Sequence, residues 1–272
     1  NKVAAFHVLK DPIPRPFATA LTDRPSFTHP NNTMQRLCLT CDTPEANLAM
    51  DEALLESAEM GDGPNETLRL WESPSDALIL GRASKYAEES HTEQCNRDGI
   101  PILRRSSGGA SVMIGPGCLM YAVVLSYEQK PFLRQLDQAH QYVMDHLVTA
   151  LKSLAIPVVS KGTCDLTLND RKFSGNSLRC KKKHLLYHGT LLYDYELSKI
   201  QRYLDTPPRQ PEYRLNRTHE DFVINLPCTR SQLEKSLLES WGADQELIDV
   251  PHSLSDELQR TKYNSQEWNR RL

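Results

Sequence analysis

Residues 118–126 read CLMYAVVLS, nine consecutive positions without a charged side chain, and this stretch decides the fold. An apolar run of this length predicts a strand that is covered on both faces. A second run, Leu185–Tyr193, predicts another buried strand. Patterns typical of helices and of strands alternate irregularly around these two runs, without a repeating strand–helix–strand order. The sequence therefore favours an α+β fold, in which a sheet is flanked by helices.

Three helices have recognisable start or stop signals. Thr43 followed by Pro44 predicts a helix start, and Gly61 predicts its end. Helical spacing of apolar residues continues from Leu136 to Leu154. Ser231 and Glu234 have the spacing of a capping box, which predicts a helix from there to Trp241, with Gly242 as its stop.

Shorter stretches predict further strands. Met34–Cys41 alternates apolar and polar side chains, as a half-buried strand does. Thr67–Trp71 and Ala77–Leu80 flank a Ser-Pro-Ser-Asp turn and are interpreted as a strand pair. Pro157–Ser160 and Asp165–Leu168 are the remaining candidates.

Composition limits the class of protein. The chain has 272 residues, of which 39% are hydrophobic and 25% charged, enough for a packed core. The net charge of −3 gives no bulk reason to expect a nucleic-acid partner. No apolar run reaches the roughly 18 residues of a membrane helix. Seven cysteines, an odd number without a dense framework, suit a reducing compartment, so a cytoplasmic protein is expected.

The distribution of prolines predicts a division of the chain. Residues 1–33 contain Pro12, Pro14, Pro16, Pro25 and Pro30, and are interpreted as a proline-rich N-terminal extension. Residues 34–272 are expected to form one catalytic domain with a C-terminal helical tail.

The segment Leu103–Val112, LRRSSGGASV, is the first candidate site. The adjacent Gly108 and Gly109 let backbone amides approach a ligand closely, and successive amides can form a concave site for an anion. Arg105 adds a planar charged group suited to phosphate or carboxylate. An ordinary surface turn beside exposed arginines is the alternative, and spacing alone does not separate the two.

The segment Asp165–Ser177, DLTLNDRKFSGNS, is the second. Its Asn-Asp pair predicts a tight turn just before Lys172. A lysine held there can stabilise negative charge on a phosphate or carbonyl oxygen, and Asp165 could bind Mg²⁺ or orient a donor. The alternative is a hairpin with a solvated lysine.

The segment Tyr187–Tyr193, YHGTLLY, is the third. A histidine in an apolar strand is more often a buried, hydrogen-bonded residue than a catalyst, so His188 alone is weak evidence. Gly189 leaves space beside the strand that a long, thin ligand could fill.

In this order and separation, the segments resemble the lipoate–protein ligase A family, which belongs with the biotin ligases and octanoyltransferases. The family pattern has an Arg-x-Ser-Gly-Gly-Gly loop, an Asn-Asp pair, a Lys-x-Ser-Gly-x-Ala turn and His-Gly-Thr-Leu-Leu. The matching positions are Arg105–Ala110, Cys164-Asp165, Lys172–Ser177 and His188–Leu192. Asn47–Glu56, and Leu68–Trp71 followed by Gly81-Arg82, are weaker matches.

The resemblance implies a mixed, largely antiparallel sheet flanked by helices, as in the catalytic domains of biotin and lipoate ligases. It implies that ATP, with Mg²⁺, converts lipoate or octanoate to an acyl-adenylate. A lysine of a lipoyl domain, in a 2-oxoacid dehydrogenase or a glycine cleavage H-type protein, then accepts the acyl group. Lys172 is expected to stabilise the developing charge. The residues expected to bind the acyl-adenylate are Trp71, Arg82, Arg105, Ser107, Gly108, Gly109, Ala110, Ser111, Asp165, Gly175, Ser177, His188, Gly189 and Thr190. Val112 and Leu191 are expected to help line a narrow tunnel for the acyl chain.

Two positions depart from the family pattern. Ala110 replaces the third glycine, and Cys164 replaces the asparagine. Cys164 supports a rival hypothesis, an ATP-independent octanoyl or lipoyl transferase with a thioester on this cysteine, whose pKa the Lys172 ammonium is expected to lower. A non-catalytic acyl- or carrier-binding paralogue is the second rival.

Two features bear on partners. The family often carries a C-terminal accessory domain, and a separate chain could supply this part. The basic cluster Arg179–Lys183 either attracts an acidic lipoyl domain or is a solvated hairpin tip.

Overall fold

The apolar run at 118–126 is a central strand of an eight-stranded sheet in the computed structural model of the chain, which describes residues 33–206 and 210–272. All nine of its residues are buried. The sheet contains, in spatial order, β11 (Gln245–Glu246), β1 (Gln35–Cys38), β2 (Thr67–Glu72), β6 (Cys118–Ser126), β10 (His184–Leu192), β9 (Arg171–Cys180), β8 (Asp165–Leu168) and β7 (Val159–Lys161). Strand β1 runs parallel to β2 and β11, and the other neighbours are antiparallel. The predicted α+β class with a largely antiparallel sheet is confirmed.

A second, three-stranded sheet has β3 (Ala77–Leu80) between β4 (Ile102–Arg104) and β5 (Val112–Ile114). The prediction that Thr67–Trp71 pairs with Ala77–Leu80 is therefore wrong. All four residues of β3 are buried, and it finds partners on both sides in the small sheet, while β2 pairs with β1 and β6. The turn between them redirects the chain from one sheet to the other.

Helices surround the sheets. They are α1 (Pro44–Met60), α2 (Thr92–Asp98), α3 (Leu136–Ser153), α4 (Ser198–Tyr203), α5 (His219–Phe222), α6 (Arg230–Trp241), α7 (His252–Leu258) and α8 (Gln266–Asn269). Short 3₁₀ helices span Pro131–Arg134 and Glu212–Arg214, and a π-helical turn spans Gln259–Tyr263. The predicted limits of α1 are confirmed, because Thr43 caps its start and Gly61, at φ 87°, ends it.

The predicted start of α6 is wrong by two residues. Thr229 is the N-cap, its side chain accepts from the amide of Gln232, and the Gln232 side chain accepts from the amide of Thr229. The capping box is thus formed by Thr229 and Gln232 rather than by Ser231 and Glu234. Both pairs have the same spacing, so the sequence pattern could not choose between them.

The hairpin of β8 and β9 turns at Asn169 and Asp170, whose φ angles are 51° and 62°. These left-handed conformations are those of a tight two-residue hairpin turn, as predicted. The sequence did not predict β9 itself, because its polar and small residues show no alternation. This strand nevertheless carries Lys172, Gly175 and Ser177.

The predicted proline-rich extension falls, except for Thr33, outside the described residues. Within the described ranges, no helix is both long enough and apolar enough to cross a bilayer.

Candidate active site

The loop between β4 and β5, residues 105–111, is built around the side chain of Arg105. This side chain is buried, with its Nε donating to the carbonyl of Gly108 at 3.1 Å and Nη2 to that of Ala110 at 2.9 Å. Burial lowers the pKa of Arg105 to about 10, which leaves the guanidinium charged at neutral pH. Most of its donors thus shape the loop, instead of facing a ligand as a free charged group.

Close contacts of this loop require two glycines, Gly109 within it and Gly81 outside it. Gly109 has a φ of 84°, and a Cβ on it would lie 3.0 Å from Nη2 of Arg105. A Cβ on Gly81 would lie 1.9 Å from the carbonyl oxygen of Gly109, so the loop rests directly on Gly81. Ala110 has no positive φ, and the departure from the family's third glycine therefore causes no backbone strain.

A buried polar chain ties this loop to the large sheet and to α1. Ser107 Oγ lies 2.5 Å from Nε2 of His188 in β10, and Nδ1 of His188 lies 3.7 Å from a carboxylate oxygen of Asp51. Asp51 in turn accepts from Arg69 at 2.6 Å and from Trp71 Nε1 at 3.3 Å. His188 is thus both a buried hydrogen-bonding partner and a neighbour of the candidate site.

Lys172 in β9 forms an ion pair with Asp165 in β8. The Lys172 Nζ lies 2.7 Å from Oδ1 of Asp165, and the hydroxyl of Tyr213 donates to Oδ2 at 2.7 Å. Nζ of Lys172 and the hydroxyl of Tyr213 each contact one carboxylate oxygen of Asp165, and binding of Mg²⁺ by Asp165 stays a prediction. In the described part of the chain, no cluster of three or more histidine, cysteine or acidic side chains could hold a metal ion.

Gly175 and Gly189 give the site its space. A Cβ on Gly175 would lie 2.9 Å from Nζ of Lys172, so this glycine makes room for the ammonium group. A Cβ on Gly189 would lie 1.8 Å from Oδ1 of Asn176. Asn176 uses that space to accept from Tyr121 and to donate to the carbonyl of Cys164 at 2.7 Å.

Cys164 does not have the environment of an activated nucleophile. Its thiol donates to the carbonyl of Asn176 at 3.0 Å. Burial, and then the charge of Asp165, raise the pKa of Cys164, and together they outweigh the lowering effect of Lys172. Lys172 lowers this pKa as expected, but the net shift is upward, and the thiol remains protonated at neutral pH.

Two cavities meet at Lys172. One, of about 410 Å³, is bordered by the loop, by β9 and by β10, and it includes apolar side chains of Leu48, Ile79 and Met120. The other, of about 140 Å³, lies towards α5 and includes Phe173 and Phe222. Lys172, Gly175, Thr190 and part of the loop border both. We call them the first and second cavity. A third depression, at α2, is polar and does not include Lys172.

Most of the residues predicted from the sequence border the first cavity. They are Arg105, Gly109, Ala110, Ser111, Val112, Cys164, Asp165, Lys172, Gly175, Ser177, His188, Gly189 and Thr190. Ser107 and Gly108 belong to the loop but do not border this cavity. Trp71 and Leu191 are fully buried in the core, and Arg82 is exposed, so these three predicted ligand contacts do not border it either.

Several bordering residues were not predicted as site residues. Asn176 lies within a quoted motif, but its position there is variable. Leu48, Ile79 and Met120 look like ordinary core residues in the sequence. Gln210 borders the first cavity and Tyr213 contacts Asp165, yet both lie in the irregular region after α4, where the sequence carries no signal for them.

The basic cluster at 179–183 folds against α1. Lys181 pairs with Glu56 at 2.6 Å, and the backbone amides of Lys182 and Lys183 donate to the carboxylate of Glu59. These amide bonds offset the effect of burial and lower the pKa of Glu59. Of this cluster, Lys181 is thus paired with a carboxylate, while the contacts of Lys182 and Lys183 with the Glu59 carboxylate involve their backbone amides, and the surface for an acidic domain stays a prediction.

The chain matches the family model "Lipoyl protein ligase A/B catalytic domain" over residues 43–231. It is 30% identical over 165 residues to a probable lipoate-protein ligase A of Mycoplasma genitalium, covering 60% of this chain and 46% of that protein. It is also 30% identical over 216 residues to a lipoate-protein ligase A homologue of Aeropyrum pernix, covering 79% of this chain and 77% of that protein. The chain thus spans about half the length of the first of these relatives.

Two solved structures share the fold. A bipartite lipoate protein ligase of Thermoplasma acidophilum, described with its E2 lipoyl domain, has a TM-score of 0.74 at 21% identity, covering 88% of this chain and 96% of that one. A lipoate-protein ligase A bound with ATP has a TM-score of 0.74 at 20% identity, covering 88% of this chain and 98% of that one. The family match over residues 43–231 agrees with the ordered motifs and with the fold, and the chain belongs to the lipoyl protein ligase A/B catalytic-domain family.

Proposed function

We propose that this protein activates lipoate or octanoate with ATP, forming an acyl-adenylate, and transfers the acyl group to a lysine of a lipoyl carrier domain. The observation that carries this proposal is the position of Lys172 where the two cavities meet. The two substrates, a carboxylate and ATP, are both negatively charged. A cation at the point where they react offsets the repulsion between them.

The chemistry follows from the charges. A carboxylate oxygen of the acid attacks the α-phosphate of ATP, an acyl–phosphate bond forms, and pyrophosphate leaves. The ammonium of Lys172 stabilises the negative charge that builds up on the oxygens between the two reactants. In the second step the neutral amine of the carrier lysine attacks the acyl carbonyl, an amide bond forms, the acyl C–O bond to AMP breaks, AMP leaves with the bonding electrons, and the amine releases one proton to solvent.

The first cavity is assigned to the acyl chain. Leu48, Ile79 and Met120 supply apolar surface there, and Arg105 carries a positive charge at its border. Each buried methylene contributes about 0.8 kcal/mol, so an eight-carbon chain gains ample affinity from such a channel. The second cavity has the aromatic rings of Phe173 and Phe222, which suit the flat base of a nucleotide.

The relatives support the choice of substrates. Proteins named lipoate-protein ligase A share motifs and sequence with this chain, and one solved structure of the same fold holds ATP. Another is described together with an E2 lipoyl domain, which supports a lipoyl domain as the acceptor.

The test compares formation of the acyl-adenylate, and of the acylated carrier, by the wild type and by Lys172→Ala. We expect the variant to remain folded and to lose about 100-fold or more in rate, because among the described residues only Lys172 is a basic side chain that borders both cavities. Lys199→Ala is the matched control. It removes a lysine of similar exposure, 29% against 27%, which pairs with Asp76 at 2.8 Å and borders neither cavity. Near-normal activity of Lys172→Ala would refute the role of Lys172.

A second comparison separates the ligase from the transferase. The ligase modifies the carrier only when ATP is present, and Cys164→Ala keeps this activity, because the protonated thiol is not the nucleophile. Transfer from an octanoyl carrier protein without ATP, and its loss in Cys164→Ala, would favour the transferase. Absence of modification under both conditions would favour the binding-only paralogue.

A further inference from the structure

The chain between Gln210 and Leu226 packs against Lys172 although it lies about 40 residues further along the sequence. The amide of Ile224 donates to the carbonyl of Lys172 at 3.0 Å, and Val223 forms a parallel bridge with Lys172. The backbone position of this lysine is therefore fixed by a region that belongs to none of the family motifs quoted above.

The side chain of Lys172 is fixed from the same region, through Asp165. Tyr213 donates its hydroxyl to Oδ2 of Asp165, and Nζ of Lys172 contacts Oδ1, each at 2.7 Å. Since the two donors use different oxygens, the tyrosine fixes the orientation of the carboxylate, and the carboxylate fixes the ammonium. The side chains of Lys172 and Asp165 are 27% and 14% exposed, so solvent competes only partly with this arrangement.

Tyr213 is itself held in place. Its ring centroid lies 5.3 Å from that of Phe222, and Nζ of Lys161 lies 5.6 Å from the ring on another side. Burial raises the pKa of Tyr213, and the hydroxyl therefore stays protonated as a donor at neutral pH.

We propose that Tyr213 is a positioning residue, which fixes Lys172 through Asp165 and makes residues 210–226 part of the catalytic centre. This inference rests on the proposed function of Lys172. The side chain of a lysine rotates about four carbon–carbon bonds, and its ammonium has three hydrogen atoms to donate. The contact with Asp165 at 2.7 Å limits the rotation of this side chain, at a position that borders both cavities.

The first test is Tyr213→Phe, which removes only the hydroxyl. We expect kcat for acyl-adenylate formation to fall about 10-fold, with KM for the acid and for ATP changed less than about twofold. Tyr193→Phe is the matched control, because Tyr193 donates to Glu72 at 2.6 Å and borders neither cavity. This control should keep the kcat of the wild type.

The second test does not depend on activity. Acetic anhydride acetylates only the neutral amine of an accessible lysine, so an ammonium held by a carboxylate reacts slowly, and mass spectrometry quantifies Lys172 relative to Lys199 in the same sample. We expect this ratio to rise about threefold in Tyr213→Phe. It should also rise in Asp165→Asn, and the double variant should match Asp165→Asn alone, because the tyrosine acts only through the carboxylate.

These measurements distinguish the two proposals. If the wild type forms no acyl-adenylate, the proposed function fails, and the labelling ratio alone decides whether Tyr213 positions Lys172. If the wild type is active, an unchanged kcat or an unchanged labelling ratio in Tyr213→Phe overturns the inference. An additive double variant overturns it as well.

Discussion

At position 175, the absence of one methyl group leaves room for the side chain on which the proposed chemistry depends. A Cβ there would lie 2.9 Å from Nζ and 3.0 Å from Cε of Lys172, and the glycine has no positive φ. The backbone thus tolerates alanine, and only the lysine is crowded.

We therefore expect Gly175→Ala to lower the rate of acyl-adenylate formation by about 10-fold or more, because the ammonium must leave its position beside Asp165. The melting temperature should change by only a few degrees, since the lysine stem can move. Enzyme assay and thermal unfolding of the same preparation check both parts. A strong loss of stability, or full activity, would contradict this account.

The helix α6 shows how an element can have two candidate starts in the sequence and one in the structure. Thr229 and Ser231 both precede apolar residues, and each has a glutamine or glutamate three positions later. Only Thr229 has the extended backbone of an N-cap, with φ −91° and ψ 161°, and its side chain accepts from the amide of Gln232.

Thr229→Ala should therefore lower the free energy of unfolding by about 1 kcal/mol, because an amide at the helix start loses its acceptor. Ser231→Ala is the control and should change it by less than about 0.5 kcal/mol, the usual range for surface substitutions. Urea unfolding of both variants measures the difference. A larger loss in Ser231→Ala than in Thr229→Ala would contradict this assignment and favour Ser231 as the N-cap.

Across the whole molecule, buried and partly buried histidines make stability depend on pH. Burial lowers the pKa of His140, His146 and His219 from 6.5. In the unfolded chain these groups take up protons near pH 6.5, where the folded protein still excludes them. The unfolded state then binds more protons than the folded state. The contribution of these histidines to the free energy of unfolding is therefore fully present above pH 6.5 and is lost as the pH falls below 6.5.

We expect the melting temperature to be a few degrees lower at pH 5.5 than at pH 7.5. His146→Phe should reduce this difference, because a phenyl ring can stack on Trp241 as the imidazole does, with 4.0 Å between the ring centroids, and does not titrate. Differential scanning calorimetry at both pH values measures the change. An undiminished pH effect in the variant would exclude His146 as a contributor.

The sequence by itself determined the fold class, the limits of α1 and α3, and most residues around the first cavity. These features follow from local causes: apolar runs that need burial, caps beside the residues they serve, and glycines and a lysine within short ordered motifs. The turn at Asn169 and Asp170 belongs to the same group.

Only the tertiary structure decided which strands pair and what surrounds each functional group. Strand β2 pairs within the large sheet and β3 within the small sheet. Each strand forms its backbone hydrogen bonds with the strands that lie beside it in the folded chain. The pKa of Cys164 rises because burial and Asp165 outweigh the lysine that the sequence places nearby. Tyr213 reaches Asp165 from 48 residues away. Such contacts depend on distances through space, and the separation of two residues along the sequence does not give those distances.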